Sequence, residues 1–597
     1  MRVAHFIKAN AQNRLPRYIY CVDTETDQRE IAPDTFENVL KLGFCAYGRR
    51  HAAGGYGSPE FYRFTDAQVF WDWLTARVTT RRKHYIFMHN VSFDALVLKT
   101  FSNLSRLGYK LVKVILDEPP TVFYYRNGVS TICIIDSLNF FRMPLAQLGA
   151  NIDFPKLTMP PMDAGDAAWD TYCKQDSLVV WTAITAYLDF LEKHELGNFQ
   201  NTLPAQAFSA YRHRFMPGKI FCDTNADANR LARKAYNGGR SECFYIGEAT
   251  GKFYLLDVNS MYPWVMRYHA MPVKLIGIYK HFNSRSLAGI MGDKIAAAEV
   301  TLDTDQPLYP KRYKGRLTFP VGRFSTCLIG QELQGAIRAG HVVAVKSCAV
   351  YEAAFIFAAY VKYFYDLRWK YTDAGNAVFA WTCKLFLNSL YGKFGQVGRS
   401  YRSVGECDPA LVKIEDVIDV DAGDHYKMRY FGGLIQQLRR ESESMNSMPA
   451  IAATITAGAR WHLSNLIRAA GRENVLYCDT DSLVVNEAGK NKLHLHENER
   501  GLGALKLQRE FTYLSIRAVK DYTFGSKTKI KGIRANAEIV DDNTFIQDTF
   551  RGIKGMIRDE DIERQVVKRV TKHLAREYLK GTVLASGVVQ PLSLLEF

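Results

Sequence analysis

The segment NVLYCDTDSLVV, residues 474–485, places two acidic residues, Asp479 and Asp481, on a short turn between two apolar runs. Such a pattern predicts a β-hairpin that holds both carboxylates at its tip. Like charges this close are stabilised by a cation, which favours a metal site. For this segment alone an ordinary acidic hairpin remains the alternative, because Asp is common in turns.

A third carboxylate lies far upstream, in FYLLDVNSMYP, residues 253–263. Asp257 ends an apolar strand, and Tyr262 follows five residues later. Three carboxylates at strand ends can hold two divalent ions in the arrangement that in-line phosphoryl displacement requires.

Between these carboxylates lies WTCKLFLNSLYGKFG, residues 381–395. Lys384, Asn388 and Tyr391 are spaced i, i+4 and i+7, which puts them on one face of a helix. A lysine, an amide and an aromatic ring on one stripe suit a nucleoside triphosphate, with charge for the phosphates and a flat face for the base or sugar. The alternative is the solvated side of an amphipathic helix.

In this order, DVNSMYP, KLFLNSLYG and YCDTDS resemble the three polymerase motifs of family B DNA polymerases. The N-terminal third carries three more segments, CVDTET (21–26), HNVSFDALVL (89–98) and YCKQD (172–176), which resemble the motifs of the DEDD 3′→5′ proofreading exonucleases. Asp23 and Glu25 point to the same side of a strand because side chains alternate with a period of two. The resemblance implies that Asp94 and Asp176 complete a four-carboxylate site.

Two further segments are similar to motifs of the protein-primed family B polymerases of phages and linear plasmids. YNGGR (236–240) matches their YxGG loop, which contacts the template, and AVKDYTFG (518–525) matches their KxY motif near the primer terminus. A plain Asn-Gly turn is the other interpretation of YNGGR. The intervals from Asp257 to Lys384 and from Lys384 to Asp479 are long, and this subfamily carries insertions there, terminal protein regions 1 and 2.

The resemblance assigns a role to each residue. In the polymerase site, Asp257, Val258 and Asp481 bind two Mg²⁺ ions with Asp479 nearby; Lys384 and Asn388 bind the incoming nucleotide together with Val258, Tyr391 stacks on the nascent base pair, and Tyr262 excludes a ribose 2′-OH. In the nuclease, Asp23, Glu25, Asp94 and Asp176 bind two further Mg²⁺ ions, for which Mn²⁺ can substitute, and Tyr172 orients a water. DNA contacts are implied for Asn90, Phe93, Ser137, Leu138, Tyr236, Gly238, Gly239, Lys520 and Tyr522.

Two lysine positions qualify this assignment. Lys156 resembles an extra nuclease lysine of the protein-primed group, and a solvated loop lysine is the equal alternative. Ala380 stands where the family often carries a second lysine, so triphosphate affinity is expected to depend on Lys384 with Lys370 or Arg368.

The predicted fold class is α/β multidomain, with a ribonuclease H-like exonuclease domain followed by a right-hand polymerase and two insertions. The strand-like segments RYIYCVD, HYIFMHN, TVFYY and TICIID support the first domain, and ERQVVKRVTKHLAREYLKG is predicted to be a basic helix in the thumb. The predicted domains are exonuclease 1–190, first palm segment 191–268, terminal protein region 1 at 269–352, fingers 353–395, terminal protein region 2 at 396–448, second palm segment 449–523 and thumb 524–597.

Composition agrees with a polymerase. A chain of 597 residues needs several cores, and a net charge of +16 with 13% aromatic residues suits a phosphate-backbone partner. Eleven scattered cysteines indicate reduced thiols. No apolar segment resembles a signal peptide or a membrane span, so a monomer in the cytoplasm of a host cell is expected, encoded by a virus or plasmid.

The expected partners are primer-template DNA, dNTPs and a terminal protein. Three alternatives remain. A nuclease-only or degenerate polymerase would lack a palm carboxylate, whereas Asp257 and Asp481 are both present. A non-catalytic DNA-binding protein would not need seven acidic residues at metal positions. A family B polymerase that uses a nucleic-acid primer, or primes itself, is the serious rival.

Overall fold

The computed structural model describes residues 2–116, 119–398, 401–419, 424–438, 442–495 and 500–595. Its first third is built around a central sheet with helices on both faces. The elements are β1 (His5–Phe6), β2 (Tyr18–Ala32), β3 (Thr35–Arg49), β4 (Glu60–Phe64), α1 (Ala67–Ala76), β5 (Lys83–Met88), α2 (Val91–Val97), α3 (Thr100–Arg106), β6 (Lys110–Leu116), β7 (Thr121–Asn127), β8 (Ser130–Asp136), α4 (Leu145–Asn151) and α5 (Asp166–Lys193).

The strand order of this sheet is β3-β2-β5-β8-β7-β6. β2 runs parallel to β5 and antiparallel to β3, and α5 packs across β2 and β3. The four strand-like segments of the sequence are therefore confirmed as β2, β5, β7 and β8. Their apolar side chains are buried on both faces because helices cover the sheet.

The next part of the chain leads into a second sheet and then into a separate five-stranded sheet. The elements are α6 (Leu203–Ala210), β9 (Phe221–Cys222), α7 (Ala226–Ala235), β10 (Ser241–Cys243), β11 (Gly247–Val258), α8 (Met261–Tyr268), β12 (Met271–Phe282), α9 (Ser284–Met291), β13 (Ile295–Thr304), β14 (Lys311–Tyr313), β15 (Arg316–Thr318), β16 (Val321–Ile329), α10 (Gln331–Arg338) and β17 (Val342–Ala354). The five-stranded sheet has the order β12-β17-β13-β16, followed by the C-terminal strand β34 (Ser593–Leu595), and has an apolar cluster of its own.

A helical hairpin and a small four-stranded sheet follow. The elements are α11 (Ala358–Asp373), α12 (Ala377–Phe394), β18 (Val397–Gly398), β19 (Tyr401–Glu406), β20 (Lys413–Asp419), β21 (Asp424–Phe431), β22 (Leu434–Leu438), β23 (Ser442–Glu443) and α13 (Pro449–Ala470). The helix predicted for residues 381–395 is confirmed as part of α12, which follows α11 after a break at residues 374–376. The two-residue strands β18 and β23 pair at the base of the four-stranded sheet.

The remaining elements complete the second sheet and return to the other units. They are β24 (Val475–Asp479), β25 (Ser482–Asn486), α14 (Glu487–Lys492), β26 (Leu505–Ala518), β27 (Asp521–Phe524), β28 (Lys527–Ile530), β29 (Glu538–Ile539), β30 (Thr544–Phe550), α15 (Ile553–Arg558), β31 (Gln565–His573), β32 (Gly581–Val583), β33 (Val589–Pro591) and β34 (Ser593–Leu595). The second sheet has the order β10-β24-β25-β11-β26-β27-β28 and includes the predicted DTD hairpin.

The predicted basic helix in ERQVVKRVTKHLAREYLKG is wrong. Its first half is strand β31, which pairs with β30 on one side and with the end of β3 on the other. The buried side-chain amide of Asn38 also donates to Gln565 Oε1 at 2.7 Å. The C-terminal region thus extends the first sheet to ten strands, and β34 joins β16 of the five-stranded sheet.

The four-stranded sheet contacts both ends of the molecule. Phe431 packs between Phe101 and Phe123, with its ring centroid 4.8 Å from that of Phe101. Lys110 pairs with Glu406 at 2.9 Å. Residues of α15 join the same apolar cluster, so this sheet bridges the N-terminal unit and the C-terminal region.

All eleven cysteines are free thiols, and ten of them are buried. Within the described ranges, every helix is too short or too polar to cross a membrane.

Candidate active sites

The hairpin at residues 474–486 holds its two carboxylates beside the end of strand β11. β25 pairs with both neighbours, so that Ser482 lies opposite Asp257 on one side and Asp479 on the other. The N–H of Val258 donates to the carbonyl of Asp481 at 2.8 Å. Three backbone segments therefore fix Asp257, Asp479 and Asp481 at the same end of these neighbouring strands.

The three carboxylates differ in their partners. Asp479 Oδ1 accepts hydrogen bonds from Ser241 Oγ at 2.7 Å and from Thr480 Oγ1 at 3.2 Å, and its Oδ2 lies 3.7 Å from Lys520 Nζ. In the part of the chain that the structure describes, no ion pair holds Asp257 or Asp481. These two remain the carboxylates available to a cation, as the sequence predicts.

The pKa values of Asp257 and Asp481 are both raised. Burial raises the pKa of Asp481 to about 7, and the neighbouring Asp257 charge adds to this effect. Burial also raises the pKa of Asp257, although Lys506, Lys384 and Arg368 oppose the shift. Two half-buried carboxylates that repel each other are the arrangement that a divalent ion relieves.

The YNGGR loop packs against the hairpin turn. The N–H of Thr480 donates to the carbonyl of Arg240 at 2.7 Å. A side-chain carbon at Gly239 would lie 2.8 Å from Thr480 Cγ2, so this glycine is required for the close approach of the two turns. Gly238 faces open space instead.

A buried arginine holds this loop from below. Arg460 on α13 donates to the carbonyls of Asn237 and Gly238 at 2.6 and 3.0 Å. It also makes a two-pronged ion pair with Glu332 of α10, with both distances 2.8 Å, and both side chains are fully buried. The position of Arg460 shows no signal in the sequence, because its partners lie more than 120 residues away.

Helix α12 presents the predicted face to the same region. Lys384 and Asn388 are exposed and Tyr391 is half-buried, whereas Phe386 and Leu390 are buried in the core. The rings of Tyr391 and Tyr262 lie 4.9 Å apart. Tyr236 packs against the same apolar cluster as these two rings, and its own ring lies against Gly395.

A cleft of about 440 Å³ opens beside this face, between α4 of the N-terminal unit and the hairpin of α11 and α12. Its lining consists of Gln147, Asn151, Arg368, Thr372, Gly375, Ala377, Ala380, Trp381 and Lys384. Burial lowers the pKa of Arg368 and of Lys384. The charge of Arg368 lowers the pKa of Lys384 further, and Asp257 opposes both shifts. Arg368, and not the exposed Lys370, is thus the second cation of this cleft.

The KxY segment lies on the opposite side of the hairpin. The N–H of Lys520 donates to the Tyr477 hydroxyl at 3.1 Å, and Tyr522 stacks on Phe524 with ring centroids 4.0 Å apart. Lys520 has a positive φ of 64°, which directs its ammonium toward Asp479. Both predicted DNA-binding residues therefore remain partly exposed next to the carboxylates.

A second carboxylate group lies in the N-terminal unit. Asp23 and Glu25 project from β2, Asp94 from α2, and Asp176 from α5. Thr24 Oγ1 donates to Asp94 Oδ1 at 2.7 Å, which ties α2 to β2. The four acidic residues that the sequence singles out are brought together.

The pKa values of this group are raised. Burial and the neighbouring Asp23 raise the pKa of Glu25 to about 8, and burial raises that of Asp23 to about 6. Burial also raises the pKa of Asp94 well above its usual range, with Asp23 as the next cause. One buried oxygen, Asp176 Oδ1, has no hydrogen-bond partner among the described atoms.

Lys156 occupies this site rather than solvent. Its ammonium contacts Asp176 Oδ2 and lies 4.1 Å from the centre of the Tyr172 ring. Burial raises the pKa of Tyr172 to about 12, with Glu25 and Asp23 as further causes. The structure therefore favours the nuclease lysine over a solvated loop lysine.

Asp136 is a functional candidate that the sequence reasoning missed. Its buried carboxylate accepts the N–H groups of Asn90, Val91 and Leu138, at 3.1, 3.2 and 2.9 Å. Asn90 has a left-handed backbone, with φ 80°, and this carboxylate stabilises the turn. The signal was present in the sequence, because Asp136 ends an apolar strand just as Asp257 does.

The predicted DNA contacts near this site divide into two groups. Asn90 is exposed, and Phe93 and Leu138 are half-buried. Ser137 is fully buried, and its hydroxyl bonds His89 Nδ1 at 2.7 Å, so its contact with a single-stranded end stays a prediction. Ser137 supports the loop through this bond.

Both carboxylate groups fit divalent ions. Oxygen ligands are those that Mg²⁺ and Mn²⁺ prefer, and at each centre buried carboxylates with raised pKa values face one another. The unpartnered oxygen of Asp176 supports the same conclusion for the N-terminal group.

Comparison with known proteins finds similarity to DNA polymerases. The family described as DNA polymerase type B, organellar and viral, matches residues 166–404. A DNA-directed DNA polymerase of Enterobacteria phage PRD1 is 26% identical over 518 residues, which cover 83% of this chain and 82% of that protein. Over these ranges the chain is similar to the family B DNA polymerases of the organellar and viral type.

A probable DNA polymerase of Neurospora intermedia is 22% identical over 386 residues, which are 60% of this chain and 38% of that protein. The chain thus spans little more than a third of this fungal relative. A structure of Phi29 DNA polymerase complexed with primer-template DNA has a TM-score of 0.66 at 15% identity, and covers 94% of this chain and all of that one. The predicted fold, an exonuclease domain followed by palm, fingers and thumb, is confirmed.

Proposed function

We propose that this chain is a DNA-directed DNA polymerase with a proofreading 3′→5′ exonuclease. One observation carries the proposal: the chain holds two separate carboxylate centres, and the first lies beside a cleft that carries two cations. The match to the type B polymerase family model supports synthesis, and the second centre supports degradation.

In synthesis, Asp257 and Asp481 would hold two Mg²⁺ ions, which supply a charge clamp for the attacking and leaving oxygens. Lys384 and Arg368 would bind the triphosphate, because both line the cleft without a carboxylate ion pair in the described ranges. Tyr391 and Tyr262 would form the wall against base and sugar. Asp479, held by Ser241 and Lys520, would maintain the shape of the hairpin.

In degradation, Asp23, Glu25, Asp94 and Asp176 would hold the metal ions. The Tyr172 hydroxyl would orient the attacking water, and the Lys156 ammonium would steady Asp176 and the leaving strand. Asn90, Phe93 and Leu138 would contact the single-stranded 3′ end. Asp136 would hold the turn that presents them.

Protein priming is part of the proposal. Two extra sheets, residues 271–354 and 401–438, lie outside the nuclease and palm, and among their described residues no group of carboxylates forms a metal-binding cluster. The first would dock a terminal protein, and the second, which bridges the nuclease and the C-terminal region, would close a ring around DNA. The enzyme would act as a monomer in the cytoplasm of the host cell. Extension of a nucleic-acid primer is the second candidate, since the same palm serves both.

Separation of the two activities tests the first part. Asp257→Ala or Asp481→Ala should abolish synthesis and leave degradation of single strands intact, whereas the Asp23→Ala, Glu25→Ala double variant should do the reverse. Loss of both activities in either variant would contradict two independent centres.

Priming needs its own experiment. The chain is incubated with labelled dNTP, with and without a candidate terminal protein from the same genome. A nucleotide covalently attached to that protein supports protein priming, provided that Asp481→Ala forms no adduct. Synthesis on a primed template without any adduct favours the primer-extending alternative.

A further inference from the structure

Cys173 lies within the nuclease carboxylate group. Its Sγ is 3.4 Å from the carbonyl oxygen of Asp23 and 3.7 Å from Asp23 Oδ2. The sulfur and one carboxylate oxygen from each of Asp23 and Glu25 all lie within 4.8 Å of one another. A soft ligand is therefore combined with two hard ones.

The spacing suits tetrahedral coordination. Zinc binds sulfur at about 2.3 Å and carboxylate oxygen at about 2.1 Å, so a tetrahedral angle separates the two ligand atoms by about 3.6 Å. The observed separation of Cys173 Sγ and Asp23 Oδ2 is 3.7 Å. For this pair of ligand atoms, an ion could bind with little change in their separation.

A second observation points to a cation at the same place. Asp176 is 2% exposed, and its Oδ1 has no partner among the described atoms. It lies one helical turn after Cys173 on α5, at spacing i, i+3, so both side chains project from the same face. The Lys156 ammonium already contacts its other oxygen.

We propose that the nuclease centre binds one thiophilic divalent ion, of the zinc, cobalt or cadmium class, through Cys173 Sγ, Asp23 and Glu25, with the fourth position left to water or to Asp176. On binding, the thiol releases its proton to solvent, a metal–sulfur bond forms and no electron is transferred. Mg²⁺ would use the carboxylates alone, because it prefers oxygen ligands in octahedral geometry. The identity of the bound ion would then decide whether the thiol is a ligand. This inference rests on the proposed nuclease site.

The competing view is that Cys173 only fills space, because it packs in an apolar cluster with Leu42, Phe44, Trp169 and Tyr172. Titration of the intact chain with Co²⁺ separates the two views, since a sulfur–cobalt bond gives a charge-transfer band in the near ultraviolet. We expect this band in the wild type to saturate at one equivalent. Cys173→Ala should lose it, and Cys133→Ala, which removes another buried thiol of the same domain, should keep it.

Affinity gives an independent readout by equilibrium dialysis with Zn²⁺. Loss of even an outer-shell partner weakens metal binding by about 10–100-fold, so loss of a direct ligand should cost at least about ten-fold. Cys173→Ser, which preserves the volume, provides the same test if the alanine variant does not fold. The Asp23→Asn, Glu25→Gln double variant retains the thiol and should weaken the band as strongly.

A band of undiminished intensity in Cys173→Ala, or Co²⁺ binding in the wild type without a band, would overturn the proposal. Degradation of single strands with Mg²⁺ is measured separately. Degradation of single strands without a Co²⁺ band would refute Cys173 as a ligand and support the proposed nuclease function. A band without degradation would refute the nuclease function alone.

Discussion

The raised pKa of Asp481 predicts that metal binding at the polymerase centre depends steeply on pH. An acid with a pKa of about 7 is mostly protonated at pH 6 and mostly ionised at pH 8. The ionised fraction falls from about 0.9 to about 0.09, so the dissociation constant of a divalent ion should rise about ten-fold when pH is lowered from 8 to 6.

Mn²⁺ binding to the free enzyme measures this change, because electron paramagnetic resonance counts the free ion without DNA or nucleotide present. The Asp23→Asn, Glu25→Gln background removes most binding at the nuclease centre. In that background, Asp481→Asn should lose both the binding and its pH dependence. A dissociation constant that changes less than about two-fold between pH 8 and pH 6 would refute the role assigned to Asp481.

The same shift affects stability with the opposite sign. The folded pKa of Asp481 lies above its unfolded value of 3.8, so the folded chain binds more protons between these two values. Without metal, this group therefore destabilises the fold progressively as pH rises from about 4 to about 7. Added Mn²⁺ should restore the thermal midpoint most strongly at pH 8.

Three further predictions concern positions around the centres. Tyr262→Val should raise the incorporation of ribonucleotides roughly 10–100-fold, because a clash of a few kcal/mol is removed. Tyr262→Phe should leave the discrimination unchanged. Unchanged discrimination in Tyr262→Val would place the sugar gate elsewhere. The paired strands β18 and β23 would allow residues 401–438 to be replaced by a short linker. This variant should preserve gap filling and lose long strand-displacing synthesis. Rolling-circle synthesis by the variant would refute the proposed ring around DNA. Arg460→Met leaves Glu332 buried and unpaired, so the protein should lose about 3–5 kcal/mol of stability. As a control, Lys362→Ala breaks an exposed ion pair and should cost at most about 1 kcal/mol. Equal thermal midpoints of the two variants would contradict this prediction.

Much of the fold could be predicted because its signals are local. The apolar runs of β11 and of the DTD hairpin, and the break between α11 and α12, each lie within about twenty residues. Asp23 with Glu25, and Lys384 with Asn388 and Tyr391, follow directly from strand and helix periods. The carboxylate centres are assembled from such pairs, so the motifs locate them.

The rest depended on partners that are distant in sequence. Residues 565–573 carry charges at helical spacing, yet Val566, Val567 and Val570 favour a strand once the edge of β3 is available to pair with them. Cys173 looked like any buried thiol until α5 was placed against β2. The bond between Ser137 and His89 also joins residues 48 positions apart, and the motif gives no sign of it.

The C-terminal region joins units that the chain order separates. β31 extends the nuclease sheet, β34 extends the five-stranded sheet, and Tyr578 bonds both backbone groups of Cys243, at 3.0 and 3.1 Å, two residues from Ser241. Rotation of the nuclease relative to the palm would break these ladders together. In the proposed function, a primer end that moves between the two centres would move as unpaired DNA, at a cost of about 1.4 kcal/mol for each base-pair step. A mismatch would lower that cost, so the connection proposed here would favour degradation of incorrectly paired ends.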